Sequence, residues 1–210
     1  MPSATGGRRY AGRAAEERRA ERRRRLLDAA VELFGTRGYA ATTIEALYTE
    51  ARLAPRHFYE QFPGREELLR AVYDETIGAV VAAVDGARAS APTDVRGRVR
   101  AILEAFAGAM LTDPRRARIA YLEVPGTSDG LDLHAHGVVR GFAAVVEQEA
   151  RAGAARGTLP DRDYALTAML LVGGTNAILL DWLADEVRRP IADVLDELTE
   201  AFVAVLERPR

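Results

Sequence analysis

Residues 24–69 read RRLLDAAVELFGTRGYAATTIEALYTEARLAPRHFYEQFPGREELL, and this stretch decides the fold. Leu26, Leu27, Ala30, Val31 and Phe34 recur at three- and four-residue steps, which makes one helix face apolar. Gly38 follows Arg37 where a helix needs a left-handed residue to end. A second helix is predicted to begin at Thr42, because Thr42-Thr43-Ile44-Glu45 has the capping-box form. Ile44, Leu47 and Ala51 give it a small apolar stripe. Arg52-Leu53-Ala54 has the length of a helix-turn-helix corner. Pro55 suits the first position of a third helix, where its missing N–H costs nothing, and Pro63 stops that helix near Phe62.

The order and spacing of LLDAAVELFGTRGY, TTIEAL and FYEQFPGREELL closely resemble the DNA-binding domain of the TetR (tetracycline-repressor) family. The resemblance covers the first third of the chain; the remainder matches in helix pattern and length. It implies that Thr43 and Tyr59 contact phosphates and that Arg56 and His57 face base edges. It also places Arg65 at the start of helix 4, where backbone N–H groups favour an anion. The chemistry agrees, since Arg pairs bidentately with guanine while hydroxyls and amides fix register on phosphates. Taken alone, His57 would read as a solvated surface histidine, and Phe58 and Phe62 as core. Two positions depart from the family pattern: Arg52 stands where Gly is usual and Ala54 where Ser is usual. The missing hydroxyl costs the third helix about 1 kcal/mol. Arg52 must take a strained turn or reshape the corner, and it adds a charge beside the DNA.

Net charge is −2, but its distribution is uneven. Residues 1–70 hold 14 Arg against 10 acids, and residues 71–210 hold 15 Arg against 21 acids. A basic head on an acidic body fits DNA binding by the head alone and disfavours a DNA-packaging protein, which would be basic throughout. Every basic residue is Arg, and there is no cysteine for a disulfide, thiolate metal site or thiol nucleophile. The polar, Arg-rich N-terminus lacks the apolar segment of a signal peptide. The most apolar run, residues 164–180, contains Thr167, Gly173, Gly174, Thr175 and Asn176 and reads as a buried helix, not a membrane span. A cytoplasmic location is expected.

The chain divides into an Arg-rich flexible arm (1–23), a helix-turn-helix domain (24–70) and a ligand-binding and dimerisation domain (71–210). The Arg run at 18–25 either extends helix 1 backwards or reaches along the DNA; nonspecific phosphate attraction is the favoured role. Helix 4 is predicted over 65–89, helix 5 over 94–111, a short helix from Asp113-Pro114 to Tyr121, helix 7 over 131–155, helix 8 over 161–186 and helix 9 over 191–207. No strand signal appears, so the fold is all-α with about nine helices. The resemblance implies that the last two helices form a four-helix dimer interface, through Leu166, Leu170, Gly173, Ala177, Leu195, Leu198 and Phe202. Packing within one chain is the alternative.

His134 and His136 are two apart and point to different helix faces, which is poor spacing for a metal pair. No supported Ser-His-Asp set or Gly-rich phosphate loop is present, and no cofactor is expected. The resemblance implies a homodimeric transcriptional regulator, usually a repressor in this family, that binds a palindromic double-stranded operator and is released by a small molecule, expected to be apolar or aromatic. An all-α small-molecule enzyme is the competing reading. A mainly apolar pocket is expected among helices 4 to 8. Its candidates are Tyr73, Phe106, Met110, Tyr121, His134, Phe142, Asn176 and Trp182, each of which alone could be an ordinary core residue. Asn176 in an apolar helix needs a polar partner.

Overall fold

The computed structural model describes residues 5–184 and 189–209, with side chains from Glu16 onward. Among the described residues, nine α-helices and one π-helical turn account for the regular structure, and no strand occurs. The helices are α1 (Thr5–Arg37), α2 (Ile44–Glu50), α3 (Pro55–Tyr59), α4 (Arg65–Ser90), α5 (Val95–Leu111), α6 (Pro114–Arg118), α7 (Asp129–Ala155), α8 (Ala165–Ala184) and α9 (Ile191–Leu206). The π turn, Ile119–Glu123, follows α6 directly. Two compact units divide the chain, Met1–Tyr73 and Asp74–Arg210. The division at 73 and the boundary at 70 expected from sequence both fall inside α4.

In the first unit the apolar face read from sequence is the core: Leu26, Ala30, Phe34, Leu47, Phe58, Leu68, Leu69 and Val72 are all sealed from solvent. Gly38, at φ 88°, closes α1 in the left-handed conformation expected of it. The cap of α2 differs from expectation by one residue. Thr43 is the N-cap and its hydroxyl accepts from the Ala46 N–H at 3.1 Å. Thr42 is buried instead, and its hydroxyl donates to the Gly38 carbonyl at 2.8 Å. The hydroxyl thus satisfies the end of α1, leaving the next residue to start α2. Helix α3 is also shorter than expected, ending at Tyr59, with Phe62 held by an N–H bond to the Phe58 carbonyl at 2.9 Å.

The start of the expected flexible arm, residues 1–4, lies outside the described residues. From Thr5 the backbone is helical and continuous with α1, so the Arg run sits on a helix and not on an extended arm. Arg23, Arg24 and Arg25 have structural partners. Arg23 lies over the Phe62 ring at 4.5 Å, Arg24 pairs with Asp28 at 2.9 Å, and Arg25 donates to the Arg52 carbonyl at 2.8 Å.

In the second unit α7 packs along α8 and α5 along α9. One core joins Leu103 and Ala107 of α5, Ala150 of α7, Tyr164, Leu171 of α8 and Val194, Leu195, Leu198, Phe202 and Leu206 of α9. Glu149 of α7 bridges Arg88 at 2.8 Å and Arg98 at 2.5 Å, tying the end of α4 and the start of α5 to α7. Helix α8 is not the buried helix expected. It buries Ala168, Leu171, Thr175, Leu179 and Leu183 on one face, and exposes Leu166, Leu170, Ile178 and Leu180 on others. It is long and apolar enough to cross a membrane by length and composition alone, a test that the core helix of a soluble protein also passes. The end expected near Glu186 lies outside the described residues.

Candidate nucleic-acid interface and effector site

The corner between α2 and α3 is a Schellman motif built on an arginine. Arg52 has φ 52°, the one positive φ at a non-glycine residue in the described chain. Its N–H donates to the Thr49 carbonyl at 2.9 Å, and the Leu53 N–H reaches back to the Tyr48 carbonyl at 2.8 Å. These two bonds satisfy the last carbonyls of α2, and Arg25 of α1 occupies the carbonyl of Arg52 itself. The family's usual Gly is therefore replaced without loss of the turn, at the cost of left-handed strain.

The recognition helix opens at Ala54, an N-cap with extended backbone and no side-chain hydrogen bond. Arg56 is exposed, and Tyr59 is 59% exposed with its ring edge-on to buried Phe58 at 5.4 Å. Thr43 is exposed at the first turn of α2, and because its oxygen accepts the capping bond its hydroxyl hydrogen stays available to a phosphate. His57 is half-buried, with Nδ1 2.9 Å from Oε2 of Glu60. Arg65 makes contacts within the head that the resemblance did not imply. Its guanidinium donates to the carbonyls of Tyr39 and Thr42 and lies 4.7 Å over the Tyr39 ring. Through Nη1 it braces the α1–α2 connection from α4, sharing the Tyr39 carbonyl with the Thr42 N–H.

Sequence reasoning missed Glu60, and it read Arg23 and Arg25 only as part of a phosphate-attracting run, without their contacts to Phe62 and Arg52. Glu60 lies one helical turn from His57, a spacing at which side chains meet, so that pair carried a readable signal. The bond from Arg25 to Arg52 spans 27 residues and has no local signature.

In the body, Phe106, Met110, Tyr121, Phe142 and Trp182 converge on one apolar cluster with Val80, Val84, Ala117, Leu179 and Leu183. Phe106 and Phe142 meet edge to face, with centroids 5.4 Å apart and planes at 89°. Trp182 places its indole N–H on the Arg189 carbonyl at 2.8 Å. The π turn beside the cluster is fixed by the Val124 N–H on the Ile119 carbonyl at 3.0 Å, and such turns concentrate at functional sites. The other three pocket candidates lie elsewhere. Tyr73 is buried in the first unit. His134 is engaged by Asp74 at 2.5 Å. Asn176 is exposed, turned away from Leu179 and Leu183, and solvent supplies the polar partner that burial would have required.

The expected dimer residues also separate. Leu166, Leu170, Gly173 and Ala177 lie exposed on α8, whereas Leu195, Leu198 and Phe202 are buried inside the chain against α5. The α9 stripe is thus intrachain core.

The family model for bacterial regulatory proteins, tetR family, matches residues 26–72. The transcriptional regulator EthR of Mycolicibacterium smegmatis is 28% identical over 184 residues, covering 86% of this chain and 81% of EthR. The fatty acid degradation regulator FadR of Bacillus halodurans superposes with a TM-score of 0.78 at 17% identity, over 90% of this chain and 97% of that one. FadR of Bacillus subtilis, solved with stearoyl-CoA, gives 0.77 at 16% identity, over 86% and 97%. The structural likenesses establish the shared fold of head and body. The match from Leu26 to Val72 shows that this part of the chain is the helix-turn-helix domain of the tetR family of bacterial regulatory proteins.

Proposed function

We propose that the protein is a dimeric repressor in the cytoplasm that binds a two-fold operator and leaves it when a small molecule occupies the body. The observation that carries the reading is the exposed polar set of Thr43, Arg56 and Tyr59 around a buried Phe58. A helix anchored by one aromatic with its polar residues outward is the shape that enters a major groove. One such head is too small for tight, specific binding, so two copies must act together.

The pairing surface is α8. Leu166 is 87% exposed and Leu170 66%, and both lie in line with Gly173 and Ala177. A Cβ built on Gly173 or Gly174 would meet nothing within 4 Å, so packing inside the chain does not require glycine there. Close approach of a second α8 would. Exposed apolar rows of this kind mark protein interfaces.

The effector is an apolar ligand received at the cluster of Phe106, Met110, Tyr121 and Phe142 beside the π turn. A long-chain acyl thioester fits, by analogy with the stearoyl-CoA held by the Bacillus subtilis regulator. Helix α4 runs from the head into the body and is the candidate lever, with a coupling of about 1–3 kcal/mol between ligand and operator typical of such systems.

The test has two arms. Duplexes selected from random DNA should converge on a palindrome, and sedimentation should give a dimer at micromolar concentration. Titration with stearoyl-CoA should then weaken operator binding. An enzyme of similar fold would select no duplex, and a packaging protein would bind random DNA as tightly as the palindrome.

A further inference from the structure

Glu60 is an odd residue to find at the C-cap of a helix that meets DNA. A carboxylate there repels phosphates and lowers affinity for every sequence alike. It follows His57 by one helical turn, and its Oε2 is 2.9 Å from the ring Nδ1. A carboxylate offers only acceptors, so this bond requires the ring proton to sit on Nδ1. The bond from His57 holds the Glu60 carboxyl below the usual carboxylate range, with Arg22 and Arg56 adding to the effect, so it stays ionised where DNA is bound.

A neutral imidazole with its proton on Nδ1 presents Nε2 as a lone-pair acceptor. In the major groove only two base edges donate, the N6 amine of adenine and the N4 amine of cytosine; guanine and thymine offer acceptors. We infer that Glu60 is a positioning residue that locks His57 in the Nδ1–H tautomer. His57 thereby accepts a hydrogen bond from the amine of adenine or cytosine at one position of each operator half-site. The inference rests on the reading of α3 as the recognition helix. It gives the acid a purpose, since affinity lost to phosphate repulsion is exchanged for discrimination at one base pair.

The experiment measures base preference at every operator position, by competition at fixed salt, for the wild type and for His57→Ala, Glu60→Ala and Glu60→Gln. The wild type should favour adenine or cytosine over the other bases by about tenfold at one half-site position, the scale of a good base contact. His57→Ala should flatten that position alone. Glu60→Ala should flatten the same position and tighten binding to random duplexes. Glu60→Gln keeps an acceptor for the Nδ1 proton, so it should retain most of the preference while sharing the gain on random DNA. The inference is overturned if Glu60→Ala leaves the His57-dependent position unchanged, or if guanine or thymine is favoured there. It is equally overturned if Glu60→Ala alters a different position, which would make Glu60 a base reader in its own right. A wild type that selects no duplex refutes the regulator reading and this inference with it; a wild type that selects a palindrome while the variants behave otherwise refutes the inference alone.

Discussion

Replacing Arg52 with glycine should make the protein more stable and a poorer DNA binder. Arg52 holds φ 52°, where a residue with a Cβ costs about 1–2 kcal/mol more than glycine. Glycine returns about 0.5–1 kcal/mol of that through the greater freedom of the unfolded chain. The hydrogen bonds at the corner are made by the backbone N–H groups of Arg52 and Leu53 and by the Arg52 carbonyl, so all of them survive the substitution. The net gain is about 0.5–1 kcal/mol, which for a chain of this size raises Tm by roughly 1–4 °C. The lost guanidinium is exposed beside the recognition helix, so one phosphate contact goes with it. The slope of log binding constant against log salt should fall by about one. Arg52→Ala separates the two effects, because alanine keeps the strain and loses the charge: Tm should hold while the salt slope drops as for glycine. The assays are thermal unfolding of the free protein and operator titration at four or five salt concentrations. A glycine variant less stable than wild type would refute the strain argument, and an unchanged salt slope would remove Arg52 from the DNA interface.

Ala54→Ser should supply the side-chain cap that α3 lacks and add about 0.5–1 kcal/mol, read as a higher denaturation midpoint with an unchanged m-value. Glu149→Gln should cost about 1–3 kcal/mol by weakening charged bonds to Arg88 and Arg98. Burial pushes the Glu149 carboxyl up, but its bonds to the two arginines outweigh this and hold it below the ordinary range. Its contribution is therefore complete above the unfolded carboxylate pKa and lost as pH falls through the lower folded value, so the Gln variant should show a flatter loss of stability in acid. Leu170→Glu should leave the monomer folded and abolish the dimer in sedimentation, while Phe202→Ala should cost about 3–5 kcal/mol of folding stability. A Leu170→Glu protein that stays dimeric would rule out α8 as the seam.

The head is legible in sequence because its signals are local. Pro55 at the first position of α3, the apolar steps from Leu26 to Phe34 and the left-handed Gly38 each act within a turn or two of themselves. The misplaced cap shows where that legibility stops. Thr42 and Thr43 are the same residue type side by side, and what chooses between them is the Gly38 carbonyl, which only the folded turn brings to Thr42. Arg65 makes contacts of the same non-local kind, its Nη1 meeting the carbonyls of Tyr39 and Thr42, 26 and 23 residues away in sequence.

In the body, periodicity locates the helices but does not say what covers them. The stripe of Leu195, Leu198 and Phe202 suits a partner subunit and a neighbouring helix equally well, and α5 takes it. Outside that stripe α9 carries Asp193, Asp196, Glu197 and Glu200, and Arg100 and Arg96 of α5 pair with Asp196 and Glu200. Helix α8 is the opposite case. It is apolar on nearly every side, so its sequence cannot distinguish the face that meets α7 from the face left open. Burying Leu171, Leu179 and Leu183 within the chain leaves Leu166, Leu170 and Leu180 exposed, and none of the described residues covers them. A second copy supplies an identical row by symmetry, and Gly173, Gly174 and Ala177 allow the two backbones to come close. The proposed dimer is thus held chiefly by α8 against α8, with α9 fixing the shape of each subunit from within.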